Sequence, residues 1–186
     1  MNVVAIIPAR GGSTRLPRKN IRNVWGKPMI YWSIKAAQKS KYINDIYVTS
    51  DDDEILNISE GFGANTIKRP KDLSDNFTYK QFAITHALDS IKKKYDIVVS
   101  LQANSPQIKH SDIDASIEKL IKYNVNEVFT VDQNLVQHGA FRIWKYKYAF
   151  EKALSFGSSV YIANYVDVHT EDDLILLESK YDRPEE

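Results

Sequence analysis

The sequence predicts one α/β domain, a three-layer α/β/α sandwich around a mostly parallel sheet. Short apolar runs alternate along the chain with amphipathic ones, the pattern of βαβ units. The 186 residues, 43% of them hydrophobic, suffice for a single compact domain with a sizeable core. The first apolar run also empties straight into a glycine-bearing basic loop, at the position where α/β sheets bind ligands.

Strands are expected at residues 3–7, 46–49, 97–101, 128–131, 140–144 and 160–163, each a short apolar run. A helix is expected over residues 78–94, with Ile84, Leu88 and Ile91 inward and Lys92, Lys93 and Lys94 near its end, where cations suit the helix dipole. Ile113, Ile117, Leu120 and Ile121 recur at helical spacing after Ser111. That serine, with Asp114 three residues on, gives a capping-box signal, repeated by Ser50 with Asp53 and by Thr170 with Asp173. Residues 132–139 lack periodicity and read as a loop near the site. Trp32 and Trp144 are expected in the core and His86 inside a helix, while His110 and His138 carry no ligand spacing. The domain is expected to span residues 1–180, with 181–186 as a solvated tail.

Bulk composition excludes several classes of function. There are 25 basic and 24 acidic residues, a net charge of +1, so neither a nucleic-acid nor a membrane-surface binder is expected. The absence of cysteine removes disulfide and thiolate chemistry and fits a reducing, cytoplasmic setting. No leader and no membrane span are read.

The positive charge that matters is local. Pro8-Ala9-Arg10-Gly11-Gly12-Ser13-Thr14-Arg15-Leu16-Pro17-Arg18-Lys19-Asn20 holds four basic side chains within ten residues. Two adjacent glycines let the backbone approach an anion and turn N–H groups toward it, while Arg10, Arg15 and Lys19 neutralise charge, so the loop is suited to polyphosphate. It has no Gly-Lys-Ser/Thr and no third glycine, so it is neither a Walker loop nor a dinucleotide fingerprint. Asp51, Asp52 and Asp53 cluster at a helix start, where the dipole stabilises carboxylates without any metal.

Several segments, taken in order, resemble the cytidylyltransferases that activate acidic sugars. Gly-Gly-Ser with Arg18-Lys19-Asn20-Ile21 is similar to the sialic-acid synthetases, together with their pseudaminic and legionaminic relatives. Ser13-Thr14-Arg15-Leu16-Pro17 and Gly26-Lys27-Pro28-Met29-Ile30 are similar to the CMP-Kdo synthetases. Ser50-Asp51-Asp52-Asp53-Glu54-Ile55, Lys68-Arg69-Pro70, Gln102-Ala103-Asn104-Ser105-Pro106, Asp112-Ile113-Asp114 and the late Asp167-Val168-His169-Thr170-Glu171-Asp172-Asp173-Leu174 keep the family's order.

The resemblance implies a nucleotide-diphospho-sugar transferase (Rossmann-like) fold and attack of an acidic 2-keto sugar on CTP. It implies Arg10 and Lys19 on the triphosphate beside Ala9, Gly11, Gly12 and Ser13, with Arg15 as a further phosphate contact. Asn20 and Arg69 would lie on the nucleoside, and Gln102 and Asn104 toward the sugar. Arg10, Lys19 and Asp167 are the implied catalytic set. The implied cofactor is magnesium or manganese at Asp167 and His169, in a motif that reads Asp-x-Asp in relatives. Kdo-type enzymes carry aspartate where Asn104 stands. Only residues 132–138 separate the fourth strand from the Gly139-Ala140-Phe141 strand, so the arm that builds the family's dimer is expected to be missing. The same residues also suit another nucleotide or acceptor, or a nucleotide-binding scaffold without turnover.

Overall fold

The computed structural model describes residues 1–75 and 79–184. Its elements are β1 (Val3–Pro8), a small hairpin of β2 (Asn23–Val24) and β3 (Lys27–Pro28), α1 (Met29–Lys39), β4 (Asp45–Ser50), α2 (Asp53–Gly61), β5 (Asn65–Lys68), α3 (Lys80–Ser90), β6 (Ile97–Leu101), α4 (His110–Lys122), β7 (Glu127–Val131), β8 (Gln137–Lys145), β9 (Ser158–Ile162) and α5 (Glu171–Lys180). Seven strands form one sheet in the order β5-β4-β1-β6-β8-β7-β9. Only β8 runs against the rest, pairing antiparallel with β6 and β7.

Alternation along the strands sets the layers. Val3, Ala5, Ile7, Val99 and Leu101 face α1, α2 and α4, meeting Ile30, Ile34, Ile55, Ile113 and Ile117. Val4, Ile6 and Val98 face the other way, onto Ile84, Ala87 and Leu88 of α3 and onto Trp144. A third cluster seats α5 against the first loop and α1, through Leu16, Met29, Trp32, Val168, Leu174 and Leu177. Trp32 and Trp144 are thus core residues, and the mostly parallel α/β expectation holds.

Five of the six expected strands are longer or shifted by a few residues, and β5 was not expected at all. Its Asn65-Thr66-Ile67-Lys68 holds one large apolar side chain, because it is an edge strand buried on neither face. The helix expected from residue 78 begins, among the described residues, at Lys80; Thr78 lies outside them. It ends at Ser90, so Lys92–Lys94 are not helical, and Lys93 pairs instead with Asp45. Ile121 is half exposed, whereas Ile113, Ile117 and Leu120 are buried. Residues 137–139 of the expected loop belong to β8, leaving a link of residues 132–136 where relatives were expected to carry an arm.

One capping box of three forms. Thr170 accepts from the Asp173 amide at 3.3 Å while the Asp173 carboxylate takes the Thr170 amide at 2.8 Å. Ser111 lies inside α4, whose N-cap is Lys109, and Asp114 instead accepts from the Ser40 hydroxyl at 2.6 Å. At α2 the cap is Asp52, accepting from the Glu54 and Ile55 amides, because Ser50 still belongs to β4.

At the far edge, Lys119 of α4 donates its Nζ to the Val160 carbonyl of β9 at 2.6 Å. Residues 181–184 fold back over α1 and the start of α4, with Tyr181, Asp182 and Arg183 exposed. No described helix is long and apolar enough to cross a membrane.

Fully buried Glu127 joins β7 to the loop before β9. Its carboxylate takes the Arg142 guanidinium, the Ser155 amide at 2.6 Å and the Ser158 hydroxyl. Removing one member of a buried pair leaves an uncompensated charge, so Arg142→Met is expected to lower the unfolding free energy by about 3–5 kcal/mol, read by urea denaturation.

Candidate active site

Beside β1 the strand order reverses: the chain leaves β1 toward β4 and later returns to β6 on its other side. Loops leaving the two strands diverge there and open a crevice. A cavity of about 260 Å3 occupies it. Arg10, Ser13, Lys19 and Asn20 border it from the loop after β1, Arg69 from beyond β5, Lys80 from the start of α3, and Gln102 and Asn104 from beyond β6. A larger cavity of about 500 Å3 lies under residues 181–184 and contains none of the expected site residues.

The side chains of the crevice are held from behind. Asn20 is buried and donates to the Arg10 carbonyl at 2.9 Å, fixing the turn from which Arg10 projects. Arg10 itself reaches the Asp75 carbonyl at 2.7 Å. Arg69 is buried, with Nε 2.6 Å from the Ser74 hydroxyl. Gln102 lies against β8 where that strand slips register: Phe129 faces Arg142, yet Val131 faces Gln137. A Cβ at Gly139 would stand 2.6 Å from Gln102 Nε2, so a larger residue there would displace the end of that side chain. Asn104 donates from Nδ2 to the Val168 carbonyl at 3.1 Å, and its own carbonyl takes the Val168 amide at 2.8 Å. That pair of bonds brings Asp167, whose carboxylate accepts from the Ser105 hydroxyl, to the crevice.

The rest of the first loop turns elsewhere. The Gly11 amide is already engaged by Asp51 Oδ1 at 3.0 Å, and a Cβ there would meet Asp52 Oδ2 at 2.6 Å. Gly11 therefore serves close packing against Asp52, and its amide is taken by Asp51, which corrects its expected donor role. Gly12 is exposed on the acidic side with Asp51 to Glu54, outside the crevice. Ala9 is buried, its amide extending the β1–β4 ladder to the Thr49 carbonyl. Ser13 does border the crevice, but its amide donates to the Gly11 carbonyl. Arg15 is exposed and stands with Nη2 3.1 Å from His169 Nδ1. Arg18 leaves the site for Asp52, at 2.6 Å, and Glu54. The acidic cluster is occupied by these contacts and by Asp53 with Lys68.

Cations concentrated in a concavity depress each other's protonation. Burial lowers the Lys19 ammonium to about 8, helped by Arg15 and Arg10 and opposed by Asp167 and Asp173. Lys80 is likewise held down to about 8 by burial, with Asp167 opposing and Arg142 and Lys19 adding to the effect. The residue as a whole is nonetheless exposed to water at the mouth of the crevice. Neither lysine has an ion pair among the described residues.

The residues fit a divalent cation through one side chain. Asp167 offers a hard oxygen beside the crevice, and magnesium commonly needs one or two carboxylates plus substrate phosphates. Asp173 is committed to its cap, accepting from the His169 and Thr170 amides. A guanidinium only donates, so His169 Nδ1 accepts from Arg15 and Nε2 carries the proton of the neutral ring, leaving no free lone pair for a metal in this arrangement. No group of three or more histidine or carboxylate side chains is placed to hold a metal among the described residues.

Residues 4–183 match the family model described as cytidylyltransferase. The chain belongs to the cytidylyltransferase family. It is 35% identical over 137 residues to a pseudaminic acid cytidylyltransferase of Campylobacter jejuni, covering 72% of this chain and 59% of that protein. It is 33% identical over 108 residues to a 3-deoxy-manno-octulosonate cytidylyltransferase of Acidobacterium capsulatum, covering 58% of this chain and 42% of that one. This family member thus spans about three fifths or less of the length of these curated relatives. A CMP:2-keto-3-deoxy-manno-octonic acid synthetase solved with CTP shares the fold, with a TM-score of 0.80 at 15% identity, covering 96% of this chain and 98% of that one.

Lys80 was missed at the level of sequence, lying in no recognisable motif. One trace was present: a cation in the first turn of a helix opposes the dipole, and such a position asks for a reason.

His169 supplies a direct check of the electrostatics. Burial first, then Lys19 and Arg15, hold its imidazole below the ordinary value, with Asp167 and Asp173 opposing. The unfolded chain therefore protonates His169 more readily, and its contribution to stability is lost as pH falls through about 6.5. In NMR titrations, Arg15→Met is expected to move the His169 midpoint upward. An unmoved midpoint would mean the two side chains do not meet in solution.

Proposed function

We propose that this cytidylyltransferase-family chain transfers a CMP group from CTP to the anomeric hydroxyl of an acidic 2-keto sugar, releasing pyrophosphate. The observation that carries the proposal is the convergence of Arg10, Lys19, Arg69, Gln102 and Asn104 on one crevice, with Asp167 near enough to support the charge of Lys19. The acceptor oxygen forms a bond to the α-phosphorus, the bond to the β-phosphate oxygen breaks, and the hydroxyl proton is released.

Positioning and charge neutralisation supply most of the rate in such transfers. Arg10 and Lys19 hold the triphosphate and meet the charge that builds on the departing pyrophosphate. Arg69 and Asn20 hold the nucleoside, and Gln102 and Asn104 face the acceptor. A magnesium or manganese ion held by Asp167 would neutralise phosphate oxygens. Arg15 and His169 form an outer contact that keeps the α5 approach against the loop.

Pyrophosphate release, measured with each of the four nucleoside triphosphates and a panel of keto-sugar acids, tests the proposal. Turnover with CTP and an acid is expected; turnover with another triphosphate alone would overturn it. Lys19→Ala is expected to lower kcat by about 10²–10³-fold, the loss typical of a preorganised charge donor, and a drop below about tenfold would leave Lys19 a surface cation.

The lowered proton affinities of Lys19 and Lys80 give a second check. A polyanion favours the charged form of both, so CTP binding near pH 8 is expected to take up about one proton, read as a dependence of calorimetric binding enthalpy on buffer ionisation. The uptake should vanish near pH 6, where both lysines are already charged.

A nucleotide-binding protein without turnover is favoured by one observation, the engagement of His169 by Arg15 where relatives carry a second aspartate. Tight, metal-independent CTP binding with no pyrophosphate released would select it.

A further inference from the structure

We propose that Tyr165, held by Asp112, is a positioning residue that keeps Asp167 at the crevice. The inference rests on the reaction proposed above, in which Asp167 holds the divalent cation. Asp167 lies between β9 and α5, in residues 163–170, which form neither helix nor strand. Regular backbone pairing does not set the direction of a carboxylate in such a segment. Individual ties to its neighbours do.

Those ties run in reverse order along the stretch that follows β6. Val168 is bonded to Asn104, the Asp167 carboxylate accepts from the Ser105 hydroxyl, and the Val166 amide donates to Gln107 Oε1 at 2.8 Å. The series ends at Tyr165, whose hydroxyl donates to the Asp112 carboxylate and accepts from the Lys109 amide at 3.3 Å. Asp167 is therefore pinned from both sides, by Asn104 after it and by the Tyr165 hydroxyl before it.

The tie at Tyr165 has the firmest base. Asp112 belongs to the first turn of α4, next to Ile113, which is buried against the sheet. A carboxylate in that turn is favoured by the helix dipole, so Asp112 stays ionised without an ion pair, and none reaches it among the described residues. An ionised carboxylate only accepts, and a hydroxyl donated to it makes one of the stronger protein hydrogen bonds. Its second oxygen accepts from the Tyr161 hydroxyl of β9 at 2.9 Å, before the carrier segment begins. The Tyr165 ring stands edge-on to His138 of β8, with centroids 6.2 Å apart. Tyr165 is thus held at its ring by the sheet and at its hydroxyl by α4.

The test compares wild type with Tyr165→Phe and Tyr161→Phe. Each variant deletes one hydroxyl bonded to the same carboxylate, so a merely structural role gives the two like effects, whereas positioning separates them. The Asp167 carboxyl 13C signal, read by NMR of the nucleotide-free chain, is expected to move in Tyr165→Phe and to stay in place in Tyr161→Phe. In turnover, Tyr165→Phe is expected to lower kcat about 10–100-fold, the loss that a small misplacement causes, with KM for CTP little changed and Tyr161→Phe near wild type in both. An Asp167 signal unmoved in Tyr165→Phe, an unaltered kcat in that variant of an active wild type, or equal effects of the two variants would overturn the assignment. A wild type without turnover would instead overturn the reaction proposed above. The carboxyl signal then decides the role of Tyr165 by itself, since it needs neither nucleotide nor metal.

Discussion

Two hydrogen bonds between Asn104 and Val168 hold the site together. The segment that carries Asp167 follows β9, at the far edge of the sheet, and must cross back over β7, β8 and β6 to reach the loop after β1. The Asn104 carbonyl and amide grip Val168 from both sides, and Val168 in turn packs on Leu16, Met29 and Trp32. One anchored residue therefore positions the acid on its N-terminal side and the capping box of α5 on the other. It also explains why an amide at position 104 is useful: a carboxylate could not donate to a carbonyl.

Around this fixed point the crevice stores positive charge that the protein itself does not match. The basic residues of the first loop divide by destination, with Arg18 neutralised on α2 and Arg15 on the rim, leaving Arg10 and Lys19 inside. Lys80 joins them from α3. Crowding these groups costs stability, which is the usual price of preorganised electrostatics at a site for anions. The depressed lysines register that cost in proton affinity, and Asp167 offsets part of it.

Much of the architecture was legible because apolar periodicity reports burial, and buried strands such as β1 and β6 are apolar throughout. β5 was invisible for the same reason, since an edge strand has little to bury. The basic loop was legible as a cluster of cations at the end of β1, but composition does not say where each side chain points: Gly11 packs against Asp52, Gly12 is exposed, and Arg15 reaches His169. Capping signals were ambiguous because Ser/Thr-x-x-Asp also occurs where a strand has not yet ended, as at Ser50, or one residue inside a helix, as at Ser111. Lys80 left only the faint mark of a charge opposed to its helix. Sites assembled across distant segments are visible in sequence only when each segment carries its own pattern.

The contact between Lys119 and the Val160 carbonyl has a consequence for how this molecule meets its own copies. The Ala163 amide points inward to Val131, and backbone groups alternate along a strand, so the polar groups of Val160 point away from the sheet, to the unpaired side of β9. A charged side chain stoppers the middle of that border, where an incoming strand would have to start its ladder. Continuation of the sheet past β9 into a neighbouring molecule is thereby discouraged, which leaves β5 as the open border of the sheet.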